Sequence, residues 1–177
     1  MSEPARERPQ RRPATEAEAR ALASAVRLRI LRVCLDSAHT NKEIADRLKL
    51  NPASTLHHVR RLVHTGFLVP EPERRGARGA REVPYRATGK SWSLDVHDAH
   101  PEGPAMLAAF LAEIREIPPG AETAMARLGL RLTDSELVEL KQRLQALLDE
   151  YAARPPTADG LPYSLFLALH PDPSRLP

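Results

Sequence analysis

Cysteine is nearly absent from this 177-residue chain. Cys34 stands alone, which excludes an intramolecular disulfide and a metal cage built from cysteines. Long hydrophobic runs are missing too: although 42% of residues are apolar, none of the runs approaches the ~18 residues needed to cross a bilayer. The first 13 residues hold four arginines and three prolines with no apolar core, so they do not fit a secretory signal and are expected to form a disordered basic arm. Together these features give the expectation of a cytoplasmic protein. There is no Gly-rich phosphate loop, no nucleophile elbow and no pair of carboxylates in an apolar setting. Neither an enzyme nor a bound cofactor is expected.

Charge is present but unevenly placed. Residues 1–92 carry 19 Lys/Arg against 10 Asp/Glu, a net of +9, whereas residues 93–177 carry 7 against 13, a net of −6. A basic half joined to an acidic half suggests that a polyanion meets the first half. A solvated arginine-rich surface is the plainer alternative.

Start and stop signals divide the chain. Thr15 to Glu18 fits the S/T-x-x-E capping pattern, and Leu22, Val26, Ile30 and Val33 recur at helical spacing, with Leu28, Leu31 and Leu35 widening the stripe. Ala23-Ser24-Ala25 is a candidate break between two helices. Thr40 to Glu43 opens a second capping box, followed by inward Ile44, Ala45 and Leu48. Asn51-Pro52 is a third start, since Asn caps well and Pro suits the first helical position. Thr55, Val59, Leu62 and Val63 form the inner face of that helix, and Gly66 closes it. Two extended runs follow, Phe67 to Pro70 and Val83 to Ala87, around a long basic tip; Trp92, Leu94 and Val96 alternate as a further strand would. Beyond these lie a helix over Pro104 to Ile117, a stop at Pro118-Pro119-Gly120, a short helix over Glu122 to Leu128, a capped helix from Thr133 to about Ala153, and a buried strand over Tyr163 to Leu169.

Helix, helix, short turn, helix and basic hairpin is the order of a winged helix-turn-helix. From Leu22 to Thr88 the chain resembles the ArsR-type transcription regulators, through Leu28-Arg29-Ile30-Leu31, Thr40-Asn41-Lys42-Glu43-Ile44-Ala45, Ser54-Thr55-Leu56-His57-His58-Val59 and Leu62-Val63-His64-Thr65-Gly66-Phe67-Leu68. It departs from them at Lys49, where such turns usually carry Gly, and at Leu56, where the family often has Ser. The expected fold is mainly α with a small β-hairpin wing: a winged helix-turn-helix over 14–92, and over 93–177 a helical dimerisation and effector region ending in a short strand. The resemblance implies a sequence-specific, double-stranded DNA-binding regulator, most often a repressor. A winged helix devoted to protein contact and a nonspecific architectural DNA binder are the alternatives.

An α-helix fits the major groove and its first turns reach base edges. With Thr55, Val59 and Leu62 inward, the residues directed at DNA are Asn51, Ser54, Leu56, His57, Arg60 and Arg61. Ser54 and His57 are candidates for reading bases, and Arg60 for holding phosphate. His58 turns toward the core or an interface. Arg74, Arg75, Arg78 and Arg81 on the hairpin tip are candidate phosphate or minor-groove contacts, and the backbone amides of Asn41 and Lys42 a candidate phosphate cradle.

One winged helix offers one half-site, so a homodimer is expected. Its interface is assigned to Leu107, Phe110, Leu137, Leu140, Leu144 and Leu148, against the alternative of packing within the chain. A small-molecule effector pocket lined by Met106, Phe110, Leu144, Leu148, Tyr151 and Phe166 competes with an ordinary core. Asp95, His97, Asp98 and His100 resemble a metal cluster, but Pro101 follows and no second ligand pair does, so no metal is expected. Cys34 reads as a small buried apolar residue rather than a redox switch.

Overall fold

A computed structural model describes residues 11–76, 79–95, 103–121, 124–157 and 159–175. They fall into two compact units, divided between Ala124 and Met125.

In the first unit the helix starts are set by side chains that satisfy otherwise orphaned backbone amides. Helix α1 (Glu16–Leu22) and helix α3 (Asn41–Leu48) each open on a complete capping box, Thr15 with Glu18 and Thr40 with Glu43. Ser24 caps helix α2 (Ala25–Val33), so Ala23 and Ser24 do break the first apolar stripe into two helices. Helix α4 (Pro52–His64) opens on Asn51, whose side chain accepts from the Ala53 amide, with Pro52 in the first turn. The α3–α4 turn needs one left-handed residue, and Lys49 supplies it at φ +54°. It is the one non-glycine residue with positive φ among those described. After α4 the chain reverses through Gly66 at φ +73°.

The strands are short. Strand β1 (Arg12–Pro13) pairs in parallel with β7 (Leu94–Asp95). Arg11 to Pro13, expected in the disordered arm, are therefore ordered: Arg12 is bonded to Glu18, and the Arg11 guanidinium lies 4.5 Å from the centre of the Trp92 ring. Strands β2 (His39–Thr40), β3 (Leu68–Pro70) and β6 (Pro84–Ala87) form an antiparallel sheet in the order β2-β6-β3, with Leu68 opposite Ala87. Beyond it β4 (Arg74–Arg75) and β5 (Arg81–Glu82) continue the hairpin as the wing, with Arg74 opposite Glu82. Trp92, expected in a strand, sits instead in a 3-10 turn over Lys90–Ser93, and Val96 lies outside the described residues.

Ile30, Ile44, Val59, Leu62, Phe67, Leu68 and Leu94 are fully buried and bring α2, α3, α4 and the sheet around one core, together with Leu22, Leu48 and Cys34. Burying each large side chain of this kind is worth about 1.5–3 kcal/mol. Leu35, expected in the stripe, is exposed because it follows the end of α2. Helix α5 (Gly103–Ile114) packs on α2: Ala109 is buried, and Arg29 of α2 bonds Glu116 just past α5 at 2.6 Å. The architecture is a winged helix-turn-helix.

The second unit contains helix α6 (Asp134–Ala152), opened by the Thr133–Glu136 capping box. No described residue of α6 is buried; Leu137, Leu140, Leu144 and Leu148 are half-covered. The strand expected over Tyr163 to Leu169 is not formed. Its alternate side chains Tyr163, Leu165, Leu167 and Leu169 are exposed, so no apolar face is buried to hold a pleat in place. The short helix expected over Glu122 to Leu128 is not seen either. Glu122 and Thr123 lie outside the described residues, while Ala124 to Leu128 are irregular with Leu128 76% exposed, so little apolar burial offsets the cost of nucleating one turn. No helix among the described residues is long and apolar enough to cross a membrane.

Candidate nucleic-acid interface

The inner and outer faces of α4 are cleanly divided. Thr55, Val59 and Leu62 are buried; Pro52, Ala53, Ser54, His57, Arg60, Arg61 and His64 are exposed. The Thr55 hydroxyl, within the inner face, donates to the Asn51 carbonyl at 2.9 Å. The outer face therefore presents polar and basic groups from its first turn to its last.

Ser54 is exposed, but its hydroxyl donates to the Asn51 carbonyl at 2.9 Å. What it offers outward is an acceptor oxygen. His57 projects one turn later, its ring 5.9 Å from that of His58 in an edge-on arrangement. Leu56 is half-buried, so its departure from serine serves packing in part. His58 is also half-buried and its Nδ1 has no hydrogen-bond partner. Burial first, then the charges of Arg27 and His57, lower its pKa and favour the neutral ring. Arg27 itself is tied back by hydrogen bonds to the Ala21 and Arg20 carbonyls.

The N-terminus of α3 lies against that of α4. Asn41 Nδ2 donates to the Pro52 carbonyl at 2.9 Å, so this side chain joins the two helix starts, while its Oδ1 is buried without a hydrogen-bond partner. Lys42 is exposed and paired with Asp46 one turn on, at 2.6 Å. Asn51 is exposed, with its side-chain oxygen engaged in capping.

On the wing, Arg75 is exposed, and Arg78 lies outside the described residues. Arg81 is 3.6 Å from Glu73. Arg74 donates to Glu43 at 2.5 Å and lies 3.9 Å from Glu82. Arg86, in β6 at the base of the wing, pairs with Glu71 and donates to the Asp36 carbonyl at 3.0 Å. These pairings were not legible in the sequence. Glu43 was recognisable as a capping residue, but its second oxygen is taken by a residue 31 positions away, which no local spacing signals.

A second node joins α1 to the segments before it and after the wing. Glu18 is buried, with Arg12 at 2.6 Å and Lys90 at 2.6 Å on the same oxygen. The bond from Arg12, against the opposing effect of burial, holds the Glu18 carboxyl well below the usual carboxylate range, helped by Lys90 and by Thr15.

Of the residues assigned to dimerisation, Leu107 is exposed on α5 and Phe110 half-buried there; Leu137, Leu140, Leu144 and Leu148 occupy α6 in the second unit. The candidate effector lining divides likewise, with Met106 and Phe110 in the first unit and Leu144, Leu148, Tyr151 and Phe166 in the second. The side chains of the Asp95–His100 cluster lie outside the described residues; elsewhere among those described, no three His, Cys, Asp or Glu come together as metal ligands would. Cys34 is buried, which pushes its thiol up to about 12.

Residues 22–71, less than half of the chain, match a family model described as a helix-turn-helix domain. No curated protein matches. Solved structures similar to the chain include reduced HlyU from Vibrio cholerae, at 22% identity over 54% of this chain and 84% of that one with a TM-score of 0.34. The zinc-responsive MarR family member ZitR from Lactococcus lactis is similar at 20% identity over 78% and 76%, with a TM-score of 0.29. The transcriptional regulator SlyA is similar at 18% identity over 71% and 75%, with a TM-score of 0.32.

Proposed function

We propose that this protein is a sequence-specific regulator of transcription that binds double-stranded DNA as a homodimer, with α4 in the major groove and the wing along the flanking backbone. One observation carries the reading: the first turns of α4 expose Ser54, His57, Arg60 and Arg61 on the face opposite Thr55, Val59 and Leu62, and an arginine-bearing hairpin follows it in the chain. A helix so dressed has the diameter and the donors for a major groove. The net charge of +9 on residues 1–92 supports it, and the helix-turn-helix match over residues 22–71 agrees. In this reading Ser54 and His57 read bases, while Arg60, Arg61 and the wing arginines position the protein on phosphate.

The homodimer is proposed on two grounds. A single winged helix covers one half-site, and α6 carries a leucine stripe that its own unit does not bury. Repression is the role favoured by the resemblance to ArsR-type regulators. The test is competition between duplex DNA from upstream of the protein's own coding sequence and random duplex, at one fixed salt concentration. A specific site should win by ~10³-fold or more. Equal competition by random DNA would refute sequence specificity.

A further inference from the structure

Glu43 occupies the third position of α3, where the capping box fixes one of its oxygens: Oε2 accepts the Thr40 amide at 2.7 Å. That leaves Oε1 aimed away from the cap, and there it accepts from Arg74 Nη2 at 2.5 Å. Arg74 lies in β4 of the wing, opposite Glu82, whose carboxylate is 3.9 Å from its Nε. The arginine that the wing would bring to DNA is thus placed between two carboxylates, one of them rigidly held.

Stability does not account for this pair. Both side chains are more than 40% exposed, and exposed ion pairs of this sort contribute little to folding. Position does give it a consequence. In a helix-turn-helix the first helix crosses the DNA backbone, so an acid in the opening turn of α3 stands where phosphate would approach. A fixed carboxylate there both repels a polyanion and occupies the guanidinium that would meet it.

We infer that Glu43 is an internal competitor for the DNA backbone: it holds Arg74 against α3 in the free protein, and phosphate must displace it before Arg74 contributes to binding. This rests on the DNA-binding reading above and adds to it a residue that lowers affinity for all sequences alike. Nonspecific binding, which is almost wholly electrostatic, is held down by it, while contacts to bases are untouched. Glu43 acts here through Arg74; it is a positioning residue.

The test uses the full chain with E43Q, R74A and the double variant, on random duplex over a range of salt and on a heparin column. Glutamine at this position still completes a capping box, so E43Q removes the charge and keeps α3; unchanged circular dichroism checks this. E43Q should bind random duplex about 3–10-fold more tightly near 100 mM salt, with a salt slope steeper by up to about 0.9, the value of one phosphate contact that the native chain makes only in part. In the R74A background the gain should shrink below about twofold, since a general charge effect of that order persists. An equal gain in both backgrounds, or no gain from E43Q, overturns the inference. If the unaltered chain fails to bind duplex at all, the DNA-binding reading falls separately. Heparin then decides the competitor: a shift of E43Q to higher eluting salt that is mostly lost when Arg74 is absent upholds it, and any other pattern overturns it.

Discussion

Lys90 Nζ lies 2.6 Å from Glu18 Oε1 and, with the same ammonium, donates to the Thr65 carbonyl at 2.6 Å. Thr65 is the C-cap of α4. The segment leaving the wing is thereby fastened both to the buried acid of α1 and to the end of α4, where a cation also complements the helix dipole. Arg12 closes the same carboxylate from the N-terminal side. Replacing Glu18 by glutamine should lower stability by about 1–3 kcal/mol, as loss of charged hydrogen bonds does, read from urea unfolding.

The same carboxylate sets a pH dependence. Its folded pKa is depressed, so in the acid range the unfolded chain binds the proton first. The stability contributed by Glu18 is complete above the unfolded value of about 4.3 and drains away as pH falls toward the folded one. The urea midpoint of the native chain should therefore drop between pH 5 and pH 3 more than that of the Glu18→Gln variant. Parallel curves would show that the node is not linked to protonation.

What is legible in the sequence is set by range. The capping boxes at Thr15, Thr40 and Thr133 were readable because cap and partner are three residues apart. The inner face of α4 and the turn at Gly66 followed from period and from backbone freedom. The second bonds of the capping glutamates were not readable: Lys90 reaches Glu18 from 72 positions away, and Arg74 reaches Glu43 from 31. The apolar alternation at Tyr163, Leu165, Leu167 and Leu169 suits a strand, but alternation specifies a face and not a neighbour to pair with.

Lys49 is held at φ +54° in an exposed turn, a conformation that costs a side chain about 1–2 kcal/mol. Glycine removes that strain while making the unfolded chain freer. Lys49→Gly should raise stability by a net ~0.5–1 kcal/mol, and Lys49→Val should lower it, both measured by urea unfolding. A glycine variant no more stable than the native chain would mean the turn is not strained.

Leu144 lies midway along the half-covered stripe of α6. If that stripe joins two copies, Leu144→Asp places an unpaired charge in the seam, and the molar mass by light scattering should fall from the dimer value to the monomer value. A variant that stays dimeric with unchanged melting places the interface elsewhere.

The most direct test of base reading by α4 compares Ser54→Ala, His57→Ala and Arg75→Ala on the specific site and on random duplex at one fixed salt concentration. Arg75→Ala should weaken both alike and lower the salt slope by about 1. Ser54→Ala and His57→Ala should each cost roughly 1–3 kcal/mol on the specific site and little on random DNA, narrowing the ratio between them. An unchanged ratio for both variants would contradict base reading by the exposed face of α4.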